Sequence, residues 1–209
     1  MVKALVSITV ASLLGISSPA AAGAPLDQVQ SAVAAVVQIV TRPDLQGDAN
    51  LAARRAALRN VADRFFDFRE MTRGSLGYHR ATPSERESAE FLALFTELLE
   101  RSYVTTIENY AGERIVYVSE AIDDDYATVR SKVVTTSGAE ISVDYRFRKS
   151  PAGWSAVDVA LENVSLVANY RYQIDRVLRT TSFATLLDRM RAGQLTAVVV
   201  PRGARKPAP

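Results

Sequence analysis

The sequence predicts an α+β fold in which a mostly helical N-terminal half packs on a four-stranded antiparallel sheet with C-terminal helices. Three observations carry that expectation. Apolar residues recur at helical spacing as far as about Tyr110, and after Gly112 the period drops to two. The strand-like runs are joined by turns too short for a crossover, which makes them antiparallel neighbours. Within Trp154–Leu178 the period changes again: Val157, Val159 and Leu161 alternate, whereas Val167, Tyr170, Ile174, Val177 and Leu178 form a helical stripe. A strand face and a helix stripe leaving one corner have to be covered by one interior.

The first residues read as an address. Lys3, the apolar run Ala4–Ile16, Ser17-Ser18-Pro19 and Ala20-Ala21-Ala22 have the layout of a secretory signal peptide over 1–22, cleaved after Ala22. The run is shorter than the roughly 20 residues of a membrane span. One domain is expected over 23–195, and 196–209, ending P-R-G-A-R-K-P-A-P, as a disordered basic tail. Without any Cys, neither disulfides nor thiolate chemistry is available, so burial holds the fold together.

In order, Val29, Val33, Val36, Val37 and Val40 share one face of a helix over Pro25–Thr41, weak on propensity because five of its residues are Val. A loop with Pro43 and Gly47 follows. A second helix, Leu51–Arg64, turns Leu58, Val61, Ala62 and Phe65 inward and Arg54, Arg55 and Arg59 outward. Phe65, Phe68, Met71 and Leu76 point inward from a short helix closed by Gly74 and Gly77. Thr82-Pro83-Ser84-Glu85 reads as a helix start with Thr82 as N-cap. The stripe Phe91, Leu94, Phe95, Leu98, Leu99, Tyr103 and Ile107 then makes the longest helix.

Strands are expected at Arg114–Ile122, Tyr126–Thr136, Ala139–Lys149 and Gly153–Leu161. The third is the clearest, with Ile141, Val143, Tyr145 and Phe147 alternating against Ser142, Asp144, Arg146 and Arg148. After the Val164-Ser165-Leu166 corner a helix runs to about Arg179, and Ser182 caps a last short one carrying Phe183, Leu186, Leu187 and Met190, ended by Gly193.

Charge is polarised. Residues 51–80 carry seven Arg against three acids, 84–125 three Arg against eleven acids, and 126–209 thirteen basic residues against six acidic ones. For an exported protein this argues against nucleic acid and leaves two readings open, solvated helix faces or docking to charged protein surfaces. Catalytic constellations are lacking. His79 is the one His, Gly74-Ser75-Leu76-Gly77 is not a nucleophile elbow, and no phosphate-cradling Gly-rich loop is present. Asp123-Asp124-Asp125 lacks the spaced ligands of a calcium loop and reads as a solvated turn. Asp63, Asp67 and Asp158 are scattered, and nothing in the sequence pairs them. Periodicity leaves the interior undecided between a core filled by side chains and a cavity for an apolar ligand.

Longer segments narrow the choice. F-F-D-F-R-E-M-T-R-G-S-L-G (65–77), F-L-A-L-F-T-E-L-L-E-R-S-Y-V (91–104), V-D-Y-R-F-R-K (143–149) and W-S-A-V-D-V-A-L-E-N-V-S-L-V-A-N-Y-R-Y-Q (154–173) resemble the MlaC family of periplasmic phospholipid-binding proteins, also called toluene-tolerance proteins. The resemblance runs from about Pro25 to Leu195. One departure is Asn163, where the family commonly has Gly; Asn tolerates left-handed backbone well enough to keep the corner.

The resemblance implies an apolar pocket holding a phospholipid by its acyl chains, head group outside, with the lipid as cargo and no cofactor. Pocket positions would be Val143, Tyr145 and Phe147, Val157 and Val159, Val164 and Val167, and Phe95, Leu99 and Tyr103, with Met71 and Leu76 at the mouth. It further implies a monomeric, non-enzymatic periplasmic shuttle that maintains outer-membrane lipid asymmetry. Its partners would be an outer-membrane lipoprotein/porin complex and an inner-membrane ABC transporter complex with its substrate-binding MCE-domain subunit. The alternatives are an envelope interaction protein with a filled core and, less in keeping with apolar strand faces, a small-ligand enzyme.

Overall fold

The computed structural model of the chain describes residues 24–77 and 83–195. The expected signal peptide, Thr82, His79 and the basic tail lie outside the described residues. Six helices and a five-stranded sheet follow in the order α1 (Pro25–Thr41), α2 (Leu51–Phe65), α3 (Phe68–Leu76), α4 (Glu85–Glu108), β1 (Arg114–Asp123), β2 (Tyr126–Val134), β3 (Glu140–Ser150), β4 (Gly153–Leu161), β5 (Val164–Ser165), α5 (Leu166–Leu178) and α6 (Phe183–Arg191). The loop after α1 is tightened by two 3₁₀ turns, Pro43–Leu45 and Asp48–Asn50.

The sheet is a meander in which each strand pairs antiparallel with the next. The one strand beyond the expected four is β5, two residues of the corner that pair Ser165 with Ala160 and Val164 with Leu161. Glu162 and Asn163 between them have φ of 49° and 64°, so the corner is a two-residue hairpin loop, with Asn163 in the left-handed conformation expected of it. Glu162 is held there by Ser142, whose N–H donates to its carboxylate and whose carbonyl accepts from its N–H at 3.0 Å.

The valine-rich α1 is held by packing: Val29 is buried against Phe65, Ala127, Val129 and Phe147, and Val40 against Leu58 and Val104. Its first-turn Leu26 N–H, an orphan donor, finds Glu120 on β1 at 2.8 Å. The N-cap of α4 is Ser84, two residues later than expected: its Oγ accepts from Glu87 N–H while the Glu87 carboxylate accepts from Ser84 N–H, a capping box that leaves Pro83 outside the helix. Near the other end Ile107 is exposed and Val104 takes the buried place, because over 24 residues a stripe of fixed spacing drifts around the helix.

The Arg residues of α2 do not simply face water. Arg54 and Arg55 both reach Glu108 of α4, at 3.1 and 3.0 Å, and Arg59 pairs with Glu100; Arg191 of α6 pairs with Glu90. Part of the charge asymmetry along the chain is therefore neutralised between neighbouring helices.

Candidate functional site

Two apolar walls meet inside the molecule. One is helical: Met71 of α3, Phe91, Phe95, Leu98 and Leu99 of α4, and Val167, Tyr170 and Ile174 of α5 form one cluster with α6. The other lies on the sheet, where Val143 and Val159 pack with Leu166, flanked by Ile141, Tyr145 and Leu161. Two residues belong to both: Phe66 and Tyr103 pack against the helical and the sheet cluster alike.

Local structure positions each wall. The α2–α3 junction is clipped to the sheet, since Phe66 bridges Ala156 and Asp67 N–H donates to the Ala156 carbonyl at 2.9 Å. Asp67 also caps α3, accepting from Glu70 N–H at 2.9 Å. The short α3 lies close enough to α5 that a β-carbon on Gly74 would stand 2.9 Å from Val167 Cγ1.

The start of α5 is fixed by Asp158 of β4, only 7% exposed. One carboxylate oxygen accepts from Ser165 Oγ at 2.6 Å and from Arg146 at 3.1 Å, and the other from Val167 N–H at 3.1 Å. Ser165 in turn caps the helix by accepting from Ala168 N–H. A carboxylate at a helix N-terminus is favoured by the orphan N–H groups and the helix dipole together. Two of the three carboxylates that scattered across the sequence are thus used as helix-end acceptors.

The twelve positions expected to line a pocket fall into three groups. Met71, Phe95, Leu99 and Val167 are buried in the helical wall, with Leu76 half-buried against it; Val143 and Val159 are buried in the sheet wall, Tyr103 straddles both, and Tyr145 sits at the sheet wall's margin. Phe147 is fully buried on the same sheet face but under α1 and α2, edge-on to Phe65 at 5.6 Å. Val157 and Val164 depart from the expectation. The register slips between Arg146 and Phe147, whose partners are Asp158 and Ala156, so Val157 is the extra residue of a β-bulge and joins neither wall. Val164 points outward from the edge strand and is 46% exposed.

The walls are in contact through their side chains. Two surface recesses, of about 300 and 260 Å³, lie elsewhere, one between α1 and α2 and one beside the β3–β4 turn, and none of the twelve lines either. Burial pushes the Tyr145 phenol up to about 12, with the nearby Tyr117 adding to the rise and a hydrogen bond to Ser131 opposing it.

Phe66, Leu166 and Tyr170 complete the walls. Tyr170 belongs to the helical stripe already visible in sequence. Phe66 does not, because it is the extended residue between two helices and its inward direction comes from the bridge to Ala156. Among the described residues no group of three His, Asp or Glu side chains is placed to hold a metal ion, and no helix is long and apolar enough to cross a membrane.

The family model described as MlaC protein matches residues 30–192. A curated relative from Haemophilus influenzae, the intermembrane phospholipid transport system binding protein MlaC, is 25% identical over 118 residues, 54% of this chain and 55% of its own length. The match thus spans about half of that relative. A solved structure of the phospholipid-binding protein from Ralstonia solanacearum, in complex with a phospholipid, superposes with a TM-score of 0.74 at 25% identity, covering 82% of this chain and 97% of the other.

Proposed function

The chain belongs to the MlaC family, and from that premise we propose that it is a phospholipid carrier of the periplasm, moving lipid between an outer-membrane lipoprotein/porin complex and an inner-membrane ABC transporter with its MCE-domain subunit. The single observation that carries the lipid is the Ralstonia solanacearum neighbour, which holds a phospholipid on this fold over nearly its whole length. In this chain the acyl chains would lie between the helical and sheet walls, exchanging the contacts those walls make with each other at Phe66 and Tyr103 for contacts with lipid.

The energetics suit a carrier. Two chains of about 16 carbons cost on the order of 25 kcal/mol to expose to water at about 0.8 kcal/mol per CH₂, so free lipid monomers do not cross an aqueous gap at useful rates. An interior that offers only what the bilayer offers makes transfer nearly neutral and therefore reversible. The reading assigns no catalysis: Asp67 and Asp158 are engaged at helix ends.

Protein recovered from a cell envelope and extracted with organic solvent is expected to release about one phospholipid per chain. A clean extract from folded protein that also takes up no lipid from vesicles would overturn the reading. That result would favour a second one, an envelope interaction protein, which the side-chain contact between the walls also fits.

A further inference from the structure

We propose that Tyr170 is the polar anchor of the cargo, its phenol donating a hydrogen bond to an ester carbonyl at the head of the acyl chains; the inference rests on the lipid-carrier reading above. Tyr170 is 0% exposed, the largest fully buried side chain among the described residues. Its ring stands edge-on to Phe95 at 5.5 Å and packs in the cluster with Met71, Leu99 and Val167. These four neighbours are positions expected to touch lipid.

The hydroxyl is buried with no hydrogen-bond partner. Buried polar groups are nearly always paired, and an orphan donor forfeits the hydrogen bonds it had in water, so each one calls for an explanation. Phe would fill the same volume at this position without that loss. Two buried serines show the usual local solution: Ser75 donates to the Thr72 carbonyl and Ser131 to the Val143 carbonyl. No local carbonyl serves Tyr170, which points to an acceptor that arrives with the ligand.

The chemistry of the acceptor follows from depth. The hydrocarbon of a phospholipid offers no acceptor, and its phosphate is a charged group that stays with water. The ester carbonyls between them are neutral acceptors that can enter an apolar site. A donor with no exposure is matched to the carbonyl and not to the phosphate. Bound lipid would then have a fixed depth, chains inward from Tyr170, rather than sliding along a greasy slot.

The test compares wild type, Tyr170→Phe and, as a control on the surface, Tyr172→Phe, at a residue that is 64% exposed. Each protein is stripped of lipid and offered vesicles of a diacyl phospholipid or of its dialkyl ether analogue, which has the same head group and no carbonyls. Wild type and Tyr172→Phe are expected to retain the diacyl lipid about 3- to 10-fold better than the ether lipid, the worth of one hydrogen bond, and Tyr170→Phe to retain both equally. Lipid-free Tyr170→Phe is expected to melt no lower than lipid-free wild type, since no bond is lost. An undiminished diacyl preference in Tyr170→Phe, or a lower melting temperature in its lipid-free form, overturns the assignment and leaves the carrier reading standing. Failure of wild type to take up either lipid overturns both.

Discussion

Glu108 collects Arg54 and Arg55 at the seam between α2 and α4, with only 9% of its side chain exposed. The hydrogen bond from Arg55, then that from Arg54, holds its carboxyl below the ordinary 4.5. A carboxyl with a depressed folded value contributes stability in full well above pH 4.5 and loses it as pH falls through the folded value. Glu108→Gln should cost about 1–2 kcal/mol at neutral pH in urea titration, and the gap to wild type should close in acid. Tyr145 behaves oppositely in sign. With its phenol raised to about 12, stability is full below the ordinary value of 10.0 and falls as pH rises between the two. Absorbance titration should contain a late tyrosine step near pH 12, and Tyr145→Phe should remove it. Neither shift was legible in sequence. Arg54 and Glu108 are 54 residues apart, and Tyr145 owes its burial to other elements, Phe65 of α2 among them.

At the scale of elements, the decisive contact is that of α3 with α5, where Gly74 lets the helices approach and Arg171 donates from α5 to the Gly74 carbonyl at 2.7 Å. Gly74→Ala gains helix propensity but sets a methyl 2.9 Å from Val167 Cγ1. The overpacking should win, destabilising by about 1–3 kcal/mol. Because the cost is one pairwise contact, Gly74→Ala with Val167→Ala should be less destabilised than the sum of the single variants, a coupling that a double-mutant cycle in denaturant reads directly. All the helices and every strand but β5 were legible from period, down to the α5 stripe of Val167, Tyr170, Ile174 and Val177. What period missed was the bulge at Val157: one inserted residue shifts every later side chain of β4 relative to its partner strand, and no spacing rule marks where the slip falls.

At the scale of the molecule, the carrier reading separates two positions that the sequence placed together. Val143→Asp buries a charge in the sheet wall and should abolish retained phospholipid, measured in solvent extracts, while circular dichroism remains that of an α+β fold. Val164→Glu, on the exposed edge strand, should leave both lipid and stability unchanged. A loss of lipid in Val164→Glu equal to that in Val143→Asp would mean that the lipid site extends to the edge strand. By itself the sequence determined the α+β class, the six helices and four of the five strands in their order with bounds near those observed, and the family, because these rest on local period, capping and turn residues and on contiguous segments such as 154–173. Only the tertiary structure decided that the two walls meet at Phe66 and Tyr103, that Asp158 fixes the start of α5, that Val164 faces water, and that the Tyr170 hydroxyl is buried without a partner. The reason is physical: period reports which side of an element is apolar, whereas a partner, a register or an unsatisfied donor is a property of two elements at once, set by how the chain brings distant segments together.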